Sequence, residues 1–192
     1  MDGIGDRCGW VTADPDYLAY HDAEWGVPCR DGGDLWGKLV LESFQSGLSW
    51  LTILRKREGF RARFHGLDPR AVARWGEVEV AAALADPGIV RHRGKVEATV
   101  ANARAWEAVE AEEGFAALVW SVVDGAPMQR RPAALADVPA KTPEAERLSK
   151  ALKARGFRLV GPTTAYAFMQ AAGLVNDHVA TCPRCAEVAA LA

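Results

Sequence analysis

The two ends of the chain carry complementary sets of metal-ligand side chains. Cys8 and His21 lie near the start, and His178, Cys182 and Cys185 follow in an H-x3-C-x2-C pattern near the end of the 192 residues. Thiolate and imidazole are the ligands a tetrahedral zinc prefers, and a site closed by four protein ligands is structural. One pair from each terminus would close almost the whole chain into a loop and pin segments that otherwise fray. Few folds satisfy that constraint. Spacing leaves the ligand set open: Cys185 can stand in for His178, and the alternative is free thiols beside hydrogen-bonded surface histidines. The start, "MDGIGDRCGW", has no basic segment followed by an apolar one. Four Cys without such a leader predict a reducing, cytoplasmic setting, with thiols or metal in place of disulfides.

Between these ends the apolar spacing is helical. "DLWGKLVLESFQSGLSWLTILRKREGF" has Asp34 placed as an N-cap and Gly47 as a break. "DPRAVARW", "EVEVAAALADPG" and "KVEATVANARAWEAVEAEEG" follow, each closed by Gly or Pro. In "TPEAERLSKALKARG", Thr142 caps, Pro143 takes the first turn and Gly156 terminates. "GPTTAYAFMQAAG" gives another helix ending at Gly173, and "GAPMQRRPAALADVPAKTP" is the irregular connection. No run approaches 18 uncharged apolar residues, so no membrane-spanning helix is expected. The expectation is one all-α domain over residues 1–192, a helical bundle with no parallel sheet.

Three groupings carry chemistry. The first is the amino-terminal "YHDAEWGVP" with its flanks: Trp10, Tyr17, Tyr20 and Trp25 crowd around His21, in a chain with only 3 Tyr and 7 Trp. The second is "RGFRLVGPTTAYAFMQ", two helices joined by a Gly-bounded turn. Free backbone N–H groups from Gly161 to Thr164, including Thr163, suit a phosphate, and Lys150, Lys153, Arg155 and Arg158 make that end basic. Two packed core helices would look the same. A further basic stretch, "RHRGK" from Arg91 to Lys95, suits either a solvated helix start or phosphate contact. The third is "LESFQSGLSW". Glu42 shares a helical face with Leu35 and Leu39, which aims a carboxylate along an apolar stripe, where it needs a donor partner. With Trp50 and the aromatic-rich start, such a cavity suits an electron-poor planar base bearing an exocyclic amine. The bland reading of Glu42 is a helix-surface glutamate.

Taken together, "RCGWVTADPDYLAYHDAEWGVP", "LESFQSGLSW", "GIVRHRGK" and "LSKALKARGFRLVGPTTAYAFMQAAGLVNDHV" resemble the bacterial 3-methyladenine DNA glycosylase I family over Arg7 to Cys182. That resemblance implies a helix-hairpin-helix repair glycosylase with one structural zinc per chain, held by Cys8, His21, His178 and Cys182. It implies that Glu42 reads the amino edge of the methylated adenine, that Tyr20 shares in base binding and catalysis, and that Trp50 stacks on the base. Trp10 and Tyr17 resemble further walls of the pocket. The hairpin and its basic flank put the expected DNA-backbone contacts at Gly161, Thr163, Thr164, Lys153 and Arg155. The implied activity is excision of 3-methyladenine from double-stranded alkylated DNA by a monomer, with free 3-methyladenine as product. Asp177 is not nominated as catalytic. With Pro162, Thr163 and Thr164 where lyase-competent relatives carry a Lys, the enzyme is expected to be monofunctional. Two rival classes are a damage-sensing module without turnover and a zinc hydrolase. Glu42, Tyr20 and Trp50 together weigh against the first, and four protein ligands, which leave no open metal position, against the second.

Overall fold

The computed structural model describes residues 5–191. Ten α-helices dominate it among the described residues: α1 (Pro15–Ala23), α2 (Gly32–Gln45), α3 (Trp50–Arg63), α4 (Pro69–Ala73), α5 (Glu77–Ala85), α6 (Arg93–Glu112), α7 (Phe115–Ser121), α8 (Pro143–Ala154), α9 (Pro162–Ala171) and α10 (Pro183–Ala189). The helices α1, α7 and α10 are additional to those expected from the spacing. Each is short, and α1 depends on its cap: the Asp14 carboxylate accepts from the backbone of Asp16 and Tyr17, with Pro15 in the first turn.

Two expectations need correction. The cap of α2 is Asp31, not Asp34, because the Asp31 Oδ1 accepts from Gly33 N at 2.8 Å and Asp34 N at 2.9 Å. A parallel pairing also exists: β1 (Met128–Gln129) from the irregular connection lies beside β2 (Val175–Asn176). Two residues a side are too few for any alternation to register in the sequence. The break at Gly47 is real, with φ of +81° between α2 and α3.

The core centres on α2, α6, α8 and α9, with Trp36, Phe44, Trp106, Leu148 and Phe168 fully buried. Its polar struts fix the ends of the helices that line the site. Lys95, from the basic stretch at the start of α6, is turned inward: its Nζ donates to Phe44 O at 2.8 Å and Ser46 O at 2.6 Å, closing the carboxyl end of α2. Asn102 brackets the turn between α8 and α9, donating to Arg158 O at 3.0 Å and accepting from Arg158 N at 2.7 Å. Ser149 Oγ donates to Val160 O at 2.6 Å in the same turn.

The amino-terminal segment reaches the core by one close crossing. Gly26 N donates to Gln170 O, and Cys29 N to Ala172 O, at the end of α9. Gly173 has φ of +72°, and a Cβ there would stand 2.4 Å from Val27 C and 2.5 Å from Pro28 N. Neither backbone can yield. Gly173→Ala should therefore lower unfolding stability by about 2 to 4 kcal/mol, from the strained φ and the displaced chain together. Denaturant titration checks it; an unchanged midpoint would mean the crossing is not tight.

Candidate active site and metal cluster

His21 and Tyr20 are neighbours on α1, so they project about 100° apart around the helix and serve two different places. His21 turns toward the carboxyl terminus. Its ring, with Cys8, His178 and Cys182, forms a fully buried cluster whose ligand atoms all lie within 4.8 Å of one another. Cys8 Sγ is 3.4 Å from His178 Nδ1, and Cys182 Sγ is 3.6 Å from His21 Nε2 and 3.8 Å from His178 Nδ1. Metal–ligand lengths of a tetrahedral Cys2His2 zinc site put sulfur and nitrogen about 3.6 Å apart. The four residues fit such an ion.

The surroundings fit it too. His21 Nδ1 lies 2.8 Å from Asp22 Oδ1, and His178 Nε2 lies 3.1 Å from the Trp25 carbonyl. Those partners take one nitrogen of each ring and leave Nε2 of His21 and Nδ1 of His178 for a metal. Asp22 is held in turn by Arg7, at 2.7 Å, and its carboxyl is lowered to about 2, first by the Arg7 hydrogen bond. Val179 N donates to Cys8 Sγ at 3.4 Å. Burial pushes the Cys8 thiol up to about 12, the penalty a metal cation would remove. Cys185 is buried but stands outside the four-atom cluster, which contains His178.

Tyr20 turns the other way, into a cavity of about 480 Å³. Trp10, Tyr17, Tyr20, Glu42 and Trp50 all line it, so the structure brings together every base-binding candidate of the sequence. The Tyr20 and Trp50 rings lie 5.0 Å apart, and the Trp10 ring stands 5.4 Å from Tyr17 and 5.4 Å from His21. The aromatic crowd is thus one continuous wall from cavity to Cys/His cluster. Glu42 is only 5% exposed, on the buried face of α2. Burial raises its carboxyl to about 8, against an opposing effect from the Lys38 charge, and no hydrogen bond reaches it. Among the buried polar side-chain atoms without hydrogen-bond partners, those of Trp36, Ser43, Trp75 and Arg184 lie elsewhere, whereas Trp10 Nε1, Trp50 Nε1 and Asp177 Oδ1 belong to residues of this cavity. A ligand with both donors and acceptors would satisfy them.

The sequence did not disclose the far wall. Tyr166 and Gln170 of α9 both donate to Asp177 Oδ2, Gln170 at 2.9 Å, while Arg130 approaches Oδ1 at 3.7 Å. Tyr166 sits four residues before Gln170, one turn of the same face, a signal that points to a shared partner without naming it. Behind the wall of Tyr20, Glu42 and Trp50 lies a second cavity, of about 460 Å³, lined also by Lys38 and Arg57.

The hairpin lies at the rim. Thr163 lines the first cavity, and the first bond within α9 is Ala165 N to Gly161 O at 2.8 Å. The N–H groups of Gly161, Thr163 and Thr164 therefore have no acceptor within the helix. Pro162 contributes none. Lys153 is exposed, whereas Arg155 is engaged by Glu113 at 2.5 Å, which moves the free positive charge toward Lys150, Lys153 and Arg158.

Comparison with known proteins agrees with this geometry. The family profile described as methyladenine glycosylase matches residues 10–185. DNA-3-methyladenine glycosylase 1 of Escherichia coli (strain K12) is 51% identical, covering 92% of this chain and 95% of that protein. DNA-3-methyladenine glycosylase of Haemophilus influenzae is 46% identical, covering 92% and 96%. A crystal structure of 3-methyladenine DNA glycosylase I superposes with a TM-score of 0.91 at 52% identity, over 92% of this chain and 98% of that one. The Staphylococcus aureus 3-methyladenine DNA glycosylase I, solved to define 3-methyladenine recognition, superposes at 0.89 with 40% identity, covering 92% and 94%.

The four-ligand geometry sets an expectation for metal content. Purified protein should carry one metal ion per chain, retained by Cys185→Ala and lost by His178→Ala/Cys182→Ala. Elemental analysis that finds full metal in the double variant would refute the assignment.

Proposed function

The chain belongs to the methyladenine glycosylase family, whose members hydrolyse the N-glycosidic bond of a damaged base in DNA, and on that premise we propose that it flips 3-methyladenine out of double-stranded alkylated DNA and excises it as the free base. The reading extends to a monomeric, cytoplasmic, monofunctional enzyme folded as one domain over residues 1–192. The observation that carries it is the partnerless, buried carboxylate of Glu42 in a cavity lined also by the paired rings of Tyr20 and Trp50.

Methylation at N3 makes the adenine of a nucleotide cationic and a good leaving group, so the protein need supply little general acid catalysis. Its task is to hold that base outside the stack, in the geometry of bond cleavage, and to admit water to the sugar. In this reading Glu42 and Tyr20 are the catalytic residues that touch the base, Trp50 stacks on it, and Trp10 and Tyr17 close the pocket. The Glu42 carboxyl, near 8 in the free protein, loses its proton when a cation enters, because an opposite charge favours the ionised form. The protonated form dominates below that value, so binding of the cationic base weakens as pH falls from about 8. Neutral adenine offers the same amine without the charge and gains less.

The start of α9, with Gly161, Thr163 and Thr164, is assigned to the DNA backbone, together with the exposed Lys153 of α8. Arg155 is placed there too, on condition that it exchanges Glu113 for a phosphate. Charge reversal at Lys153 should weaken binding to damaged and undamaged DNA alike and flatten its salt dependence. Zinc is the metal proposed for Cys8, His21, His178 and Cys182. When bound, it crosslinks the two ends of the chain, with no coordination position left for substrate.

The test is release of free 3-methyladenine from methylated duplex DNA, with and without a chelator. We expect release by the metal-loaded protein, loss on chelation in parallel with loss of folded structure, and no strand cleavage at the abasic product. A protein that binds DNA without release would be a damage sensor. Activity that vanishes on chelation while the fold is retained would place the metal in the chemistry and contradict the structural role.

A further inference from the structure

Glu42 is approached from behind by one residue of its own helix. Lys38 lies four residues earlier on α2, one turn away on the same face, and both residues line the 460 Å³ cavity behind the base pocket. The Lys38 Nζ does not pair with the carboxylate. It donates to the carbonyl of Ala171, at the end of α9, at 3.1 Å. A lysine preceding a glutamate by four residues is the less favourable order for a direct helical pair, so an external acceptor competes well for it.

We propose that Lys38 is a positioning residue for base recognition: held on the Ala171 carbonyl, its ammonium supplies positive charge to Glu42 from the rear cavity while leaving both carboxylate oxygens free for the base. The inference rests on the reading that Glu42 holds the base. A direct ion pair would use up the acceptor that the base needs. A pocket without any cation would push the carboxyl higher still. The arrangement avoids both.

The other charges around Glu42 do not perform this role. From α1, Glu24 is bound by Arg57 of α3 at 2.6 Å, which offsets both charges, and Tyr20 is neutral, its hydroxyl pushed up by burial first and the Glu42 charge second. From α9, Tyr166 is tied to Asp177 on the far wall. Lys38 is the one charge that acts on the Glu42 carboxyl, and it acts to lower it, against the larger effect of burial.

The test is the pH profile of kcat/KM for 3-methyladenine release, which reports groups of the free enzyme. The ionised carboxyl is the competent form, so wild-type activity should rise through the Glu42 transition. Lys38→Met removes the charge and keeps the bulk. Its midpoint should move up by about half to one pH unit, lowering activity on the acid side about three- to tenfold and restoring it at alkaline pH. Lys38→Arg should keep the wild-type midpoint. A superimposable Lys38→Met profile, or a uniform loss at every pH, overturns the proposal, since lost packing against α9 would not move a midpoint. Carboxyl NMR of Glu42 without DNA gives the same midpoint should the variant be inactive, and an unmoved one likewise overturns it. Should Glu42→Gln retain full activity with the wild-type profile, the base-binding reading fails first and this inference with it.

Discussion

The convergence of Cys8, His21, His178 and Cys182 is the constraint from which the site follows. It joins α1 and the segment before it to the segment after β2, more than 150 residues apart in sequence, and a small second core of Val11 and Val179, flanked by Trp10, Leu18 and Trp25, packs around it. Because Tyr20 adjoins His21 on α1, anchoring the imidazole also sets the tyrosine against Trp50. Gly26 and Gly173 permit the backbone approach that this requires. Fixing the termini and shaping the pocket are one structural act.

The pocket itself is built at a cost in stability. A carboxyl raised from the usual range to about 8 holds its proton more tightly in the folded than in the unfolded chain. Folding stability therefore falls as pH rises from the unfolded value, near 4.5, through the folded one. The orphaned indole N–H groups of Trp10 and Trp50 add to that cost. The large aliphatic and aromatic core around α2, α6, α8 and α9 offsets that cost.

Much of this was legible in the sequence. Helical spacing and the Leu35, Leu39, Glu42 face disclosed the buried carboxylate, and the ligand types at the two ends disclosed the cluster up to the choice between His178 and Cys185. The rest depends on relations that spacing does not encode. Asp177 meets Tyr166 and Gln170 only once α9 is folded back on the following turn. The inward Lys95 and the engaged Arg155 are basic residues whose partners come from α2 and α6, so a linear reading counted them as surface charge. The two-residue β1–β2 pairing is fixed by the chain around it and leaves no periodic trace.

The role proposed for Glu42 is to receive the base. Calorimetric binding of free 3-methyladenine to metal-loaded wild type and Glu42→Gln tests it without DNA, flipping or turnover. Wild type should bind near one molecule per chain, and the variant should lose about 1 to 3 kcal/mol, the range for a hydrogen bond to a charged group in a buried site. Metal content should be unchanged. Equal affinities at equal metal content would contradict it.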